Sequence, residues 1–173
     1  MSKKLGRTTM DDLFIHELSD IYSAEKQLIR ALPRMARAAS NPVLAEAFES
    51  HADETLGQIE RIDQLVEQSE LKLKRMKCMA MEGLVEEFKE LLDEIEKGPV
   101  LDAGLIAACQ KIEHYEIAGY GTLIALAKQL GMDDAAQLLA ETLAQEKSAD
   151  EKLSAIAEQG GNQAATMIDE DEQ

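Results

Sequence analysis

Phe14-Ile-His-Glu-Leu18-Ser-Asp-Ile21-Tyr-Ser-Ala-Glu25-Lys-Gln-Leu28-Ile-Arg-Ala-Leu32 carries apolar side chains at 14, 18, 21, 28 and 32, and a glutamate where the rhythm calls for another. Alternating steps of four and three mark one face of an α-helix. Thr9, with Asp12 three residues on, forms a capping box at its start, and Met35 and Ala39 continue the stripe. An ionised carboxylate in a core position costs several kcal/mol. Glu25 therefore needs a reason to be there.

The same pattern recurs along the chain. Asn41-Pro42 offers a cap and a first-turn proline to a second helix with the stripe Leu44, Phe48, His51, Thr55, Gln58, Ile62 and Leu65, with Glu54 on its flank. Cys78 to Glu96 reads as a shorter helix ended by Gly98-Pro99. Asp102 reads as the cap of a fourth helix whose stripe is Leu105, Cys109, Ile112, Glu116, Gly119, Leu123 and Leu126, with Glu113 just to one side. Gly131 closes that helix, Asp133 reads as the next cap, and Leu139, Leu143, Glu146, Asp150, Leu153 and Ala157 form the inward stripe of a fifth. Short turns make helices one and two, and four and five, antiparallel neighbours, while about thirty residues separate the second helix from the fourth. The expected fold is all-α: a ferritin-like four-helix bundle of two antiparallel hairpins, with a fifth, shorter helix in the long crossover.

Glu25 lies 15 residues before the turn at Ser40 and Glu54 14 after it; Glu116 lies 15 before Gly131 and Glu146 15 after. At about 1.5 Å per residue, all four sit roughly 22 Å from their turns. Four carboxylates at one depth repel strongly unless protonated or neutralised by cations. Two divalent ions are the simplest neutraliser, and carboxylates from all four helices are how bundle cores hold such pairs. His51 and Glu54 share a helix face and offer the nitrogen and oxygen donors that iron or manganese accept. The usual order in such bundles is Glu-x-x-His, and here it is reversed. Glu113 and Asp150 complete the candidate ligand set of Glu25, His51, Glu54, Glu113, Glu116, Glu146 and Asp150. Glu54 and Glu146 are expected to bridge, Glu25 and Glu116 to bind terminally, and Gln58 to stand behind them.

Composition agrees with a helical, cation-collecting protein. The 173 residues suffice for one domain, aromatics are only 3%, and the net charge of −16 opposes binding to nucleic acid or an anionic membrane. Cys78 and Cys109 lack the paired spacing of a disulfide framework or thiolate zinc site, which fits a reducing cytoplasm. The expected organisation is an extension over 1–8, a bundle over 9–159 and an acidic, disordered tail over 160–173.

The strings Leu18-Ser-Asp-Ile-Tyr-Ser-Ala-Glu-Lys-Gln-Leu28, Arg75-Met-Lys-Cys-Met-Ala-Met-Glu-Gly-Leu84 and Glu113-His-Tyr-Glu-Ile-Ala-Gly-Tyr-Gly-Thr-Leu123 resemble the YciF/YciE-type bacterial ferritin-like stress proteins over about residues 10 to 158. The resemblance implies a five-helix ferritin-like fold, a homodimer, a bacterial cytoplasm and a role in stress. It also implies that Glu25, Glu54, Glu116 and Glu146 lie in the bundle interior. The function expected is a carboxylate-bridged di-metal centre, of iron or manganese, reacting with oxygen or peroxide. The alternative is a dimeric helical protein that sequesters metal, or serves as a scaffold, without catalysis.

Overall fold

Each long helix begins and ends where its local chemistry dictates. The structure is a computed structural model describing the backbone of residues 9–171 and side chains through 167, so the expected extension over 1–8 lies outside the described residues. Helix α1, Met10–Ala38, starts where the Thr9 hydroxyl accepts from the Asp12 amide at 3.1 Å and donates to its carboxylate at 3.0 Å. Helix α2, Pro42–Gln68, starts where Asn41 Oδ1 accepts from the amides of Val43 and Leu44. Helix α3 is Met79–Glu94, α4 is Pro99–Gln129 and α5 is Asp133–Ile156.

Between α4 and α5 the chain reverses at Gly131, whose φ of 71° suits a residue without a Cβ. The Met132 amide bonds back to the Ala127 carbonyl at 2.9 Å and the Gly131 amide to that of Lys128 at 3.1 Å, closing the helix end with its orphan carbonyls satisfied.

Asp102 caps nothing on its own helix. Gly98 holds the N-cap position of α4, and the Asp102 carboxylate instead accepts from the Ser40 amide at 2.7 Å, the Ser40 hydroxyl and the Asn41 amide at 2.9 Å. It thus pins the α1–α2 turn to the start of α4, at the opposite end of the bundle from Gly131. Asp133 is likewise the first helical residue, with Met132 at the cap. The expected disordered tail is also different: after a widened turn at Ala157–Gly161, broken where Gly160 takes a φ of 123°, a sixth helix runs from Asn162 to Asp171 against α4.

The four long helices pair as α1 with α2, α4 with α5, α2 with α5, and α1 with α4. Helix α3 lies over α1 and α4, so the crossover covers one seam between the hairpins. The segment leading into it is tied down along α1, where Ser19 and Ser23 accept from the amides of Lys74 and Cys78. The apolar interior falls into two clusters. One contains Leu28, Leu32, Phe48, Phe88, Leu105 and Ile112; the other contains Phe14, Leu18, Ile21, Ile62, Tyr120 and Leu139. On every long helix the two clusters are separated by a polar stretch near mid-length. Among the described residues, no helix is long and apolar enough to cross a membrane.

Removing the Asp102 carboxylate leaves two amides and a hydroxyl at the α1–α2 turn unpaired. Asp102→Ala is therefore expected to lower unfolding free energy by about 2–4 kcal/mol in urea titrations, with helix content retained. A loss below about 0.5 kcal/mol, the range of an ordinary surface substitution, would show that the turn holds without it.

A buried carboxylate and histidine cluster

Glu25, Glu113, Glu116 and Glu146 are each 0% exposed, and His51 is 4% exposed. They come from all four long helices and meet in the layer between the two apolar clusters. One donor atom from each of His51, Glu113, Glu116 and Glu146 lies within 4.8 Å of the others. Glu25 sits beside them, its carboxyl against that of Glu116 and one oxygen held by the Tyr120 hydroxyl.

The other sequence candidates lie elsewhere. Glu54 is at the rim, its side chain 27% exposed, accepting at 3.2 Å from His51 Nδ1 and lying 3.8 Å from Lys152 Nζ. Asp150 is not brought into the cluster: it faces His114 at 3.3 Å and accepts from Gln110 at 3.0 Å. The reason is the rotation of α5. Its inward face is Leu139, Thr142, Glu146, Ala149 and Leu153, because the small Thr142 and Ala149 pack at the interface in place of Leu143 and Asp150.

The polar atoms divide by orientation. One oxygen of Glu146 accepts from the buried Gln58 amide, and one of Glu113 accepts from the Cys109 thiol at 3.3 Å. The remaining oxygens of Glu25, Glu113 and Glu146, both of Glu116, and His51 Nε2 have no hydrogen-bond partner. His51 Nε2 is 3.1 Å from Glu113 Oε1 and 3.7 Å from Glu146 Oε2, close but not aligned for a hydrogen bond. Buried polar groups are nearly always paired. Among the described residues seven buried side-chain atoms are not, and the seventh is the carbonyl oxygen of Gln58, beside the same cluster.

Burial pushes Glu25 up to about 7 against the help of Tyr120. Glu116 and Glu146 are also raised well above the usual value, both first by burial, then Glu116 by the charges of Glu25 and Glu146, and Glu146 by the adjoining Glu113. Burial lowers His51, but the carboxylates of Glu113 and Glu54 facing its two ring nitrogens outweigh it and lift the imidazole well above its usual value. Glu113 is held below the usual range because the facing imidazole overcomes burial. The directions favour the charged forms of His51 and Glu113 and the neutral forms of Glu25, Glu116 and Glu146.

Two residues could have been found from spacing alone. Cys109 is four before Glu113, on the face of the carboxylate it supports, and Tyr120 is four after Glu116, on the face that points into the cluster, where its hydroxyl reaches Glu25 across the bundle.

Over residues 9–166 the sequence matches the family described as "Domain of unknown function (DUF892)". The chain belongs to that family. It is 61% identical to Protein YciF of Escherichia coli K12, over 93% of this chain and 98% of that one. The crystal structure of that stress protein superposes with a TM-score of 0.87, covering 90% of this chain and 98% of that one. A Rhodopseudomonas palustris protein, 44% identical, gives 0.86 over 90% and 99%. The bacterioferritin-related protein of Bacteroides fragilis, a dodecameric thioferritin, gives 0.64 at 15% identity over 96% and 93%. This last likeness shows the fold alone, which is ferritin-like. In this DUF892 chain, then, a ferritin-like bundle encloses a buried histidine and glutamate group whose donors could hold a metal ion.

The charge state makes a pH prediction for protein stripped of divalent ions. Glu25, Glu116 and Glu146 start from 4.5 and rise on folding, whereas the lowering of Glu113 acts only below that value, so above it the folded state binds more protons than the unfolded one. His51, raised above its usual 6.5, acts in the same direction, its stabilisation being lost as pH rises through the folded value. Stability should therefore fall as pH rises from about 4.5 through 7. Thermal unfolding in chelator at pH 5.5 and pH 8 reads this, and Glu116→Gln should flatten the difference. An equal midpoint at both values, or a higher one at pH 8, contradicts the assignment.

Proposed function

We propose that the cluster holds two divalent ions, iron or manganese, and that the loaded centre reacts with oxygen or peroxide. The observation that carries this reading is the inward set of unpartnered donors, five carboxylate oxygens and one imidazole nitrogen, in a layer otherwise closed to water. Charge supports the number: Glu25, Glu113, Glu116 and Glu146 sum to −4 when ionised, which two divalent cations balance. Oxygen donors with one imidazole suit iron and manganese alike.

His51, Glu113, Glu116 and Glu146 would hold the ions, with Glu25 beside Glu116. A pair of such ions supplies redox chemistry toward small oxidants when bound. The chain's own residues orient the ligands. Tyr120 fixes Glu25, Gln58 fixes Glu146, and Cys109 fixes Glu113. Glu54 accepts from His51 Nδ1, which sets the imidazole so that Nε2 points inward. This accounts for the reversed His51-x-x-Glu54 order: the glutamate supports the histidine, a common arrangement behind metal-binding imidazoles. The apolar clusters above and below exclude water from the layer.

The same proposal includes a second copy of the chain as partner and a cytoplasmic setting. The free, buried Cys78 and Cys109 support the latter.

Protein purified from its native host is expected to contain two iron or manganese ions per chain, and the Glu116→Ala, Glu146→Ala double variant to lose them. Full ion content in that folded variant sinks the assignment. Loaded protein should consume peroxide, or oxidise ferrous iron with oxygen, faster than the same ions free in solution. Ions without turnover would mean that the protein sequesters them.

A further inference from the structure

The two seams between the hairpins are unequal. Helix α3 and the segment before it cover α1 and α4, whereas among the described residues no other helix packs on both α2 and α5. Along that seam Arg61 of α2 donates to Thr142 at 2.7 Å and to Gln145 at 3.2 Å, closing the stretch nearer Gly131. Nearer the other end, Phe48 and Leu153 fill it. Between these stretches a narrow cavity of about 10 Å³ opens, and its wall includes His51 and Glu113. Such a volume is at the lower limit for one water. The small side chains of Ala47 and Ala149 leave the space, and Glu54 and Lys152 stand in its wall.

Glu54 faces both ways. One oxygen is 3.2 Å from His51 Nδ1 and the other 3.8 Å from Lys152 Nζ, while the Lys152 side chain is 54% exposed. The sequence of groups from solvent inward is ammonium, carboxylate, imidazole, carboxylate. A cation arriving from outside meets Lys152, is repelled, and finds Glu54 only when that long, flexible side chain swings away.

We propose that this opening is the passage by which a divalent cation reaches the buried cluster, with Glu54 receiving the ion and Lys152 controlling its admission. The proposal rests on the metal reading given above. It assigns Lys152 a role in rate and none in holding the ion. Neutralising Lys152 should speed loading, and narrowing the space beside it should slow loading, without changing how much ion is finally bound.

The test is the uptake of Mn²⁺ by ion-free protein after rapid mixing, followed as loss of the free-ion signal in electron paramagnetic resonance, with final content read at equilibrium. Lys152→Gln should raise the association rate by about tenfold at low salt, Lys152→Glu should raise it further, and the gain should shrink as salt is added. Ala47→Leu should lower the rate. Lys147→Gln makes the same change in net charge from an exposed position on α5 outside the passage, and should leave the rate unaltered. Circular dichroism establishes that each variant is folded, and final Mn²⁺ content should match the unaltered protein. Rates within about twofold across the Lys152 and Ala47 variants, or an equal gain from Lys147→Gln, overturn the passage while leaving the metal site standing. A change in final content with Lys152→Gln also overturns it. No bound Mn²⁺ in the unaltered protein overturns the metal reading and this one with it.

Discussion

Four fully buried carboxyl groups set the terms for this bundle. Each ionised carboxylate taken from water loses several kcal/mol of hydration, and each raises the cost of ionising the next. Protons can quiet the layer, as the upward shifts of Glu25, Glu116 and Glu146 indicate, and so can cations. The surrounding architecture answers that requirement. Two apolar clusters clamp the layer from both ends, and because the hairpin turns lie at opposite ends of the bundle, mid-length is the one depth at which positions equally far from their own turns meet. The clamp's stability in turn depends on the α1–α2 turn being fixed to α4 by Asp102, which keeps the two hairpins in register.

Within the layer, the division of each carboxylate into a held oxygen and a free one does most to define the site. Tyr120, Gln58 and Cys109 reach the outer oxygens of carboxylates on other turns or other helices, and their own burial leaves them little freedom. A side chain anchored at one oxygen presents the other in a fixed direction. Donors organised in advance lose less entropy when they bind. Glu116 alone has both oxygens free, and it is in contact with Glu25 on one side and Glu146 on the other. In the proposed centre Glu116 would therefore be among the residues that hold the ions, and Glu54, at the rim, would not.

Much of this was legible from residue order because helices translate periodicity into facing. An interrupted apolar stripe marks a buried polar residue directly, so Glu25, Glu116 and Glu146 stood out, and the Asn41-Pro42 and Gly131 turns fixed their depth. Finer matters depended on which face of a helix wins. On α5 two readings, one through Leu143 and Asp150 and one through Thr142 and Ala149, differ by one residue, or about 100° of rotation. Bulk favoured the first, and close approach of the helices selected the second. For the same reason Glu54, one step off its stripe, lies at the rim although its spacing suggests the interior. Asp102 resembled a helix cap by position, but its partners lie about sixty residues away and no local rule points to them. The acidic tail lacks an apolar face, yet it continues as a helix because it lies against α4, a tertiary contact that composition does not encode.

The crossover has a consequence beyond topology. By covering α1 and α4, it places Glu25 and Glu116 on the closed side of the bundle, whereas His51, Glu54 and Glu146 come from the two helices that meet at the other seam, where Glu113 reaches the wall of the cavity. Ligands on the closed side are fixed by packing on two faces. Those on the open side have solvent within a few ångströms, and Glu54 already reaches it. In the proposed centre, an exchanging ion or a small oxidant would meet α2 and α5 first, because the asymmetric crossover leaves the cavity beside His51 and Glu113 on that side.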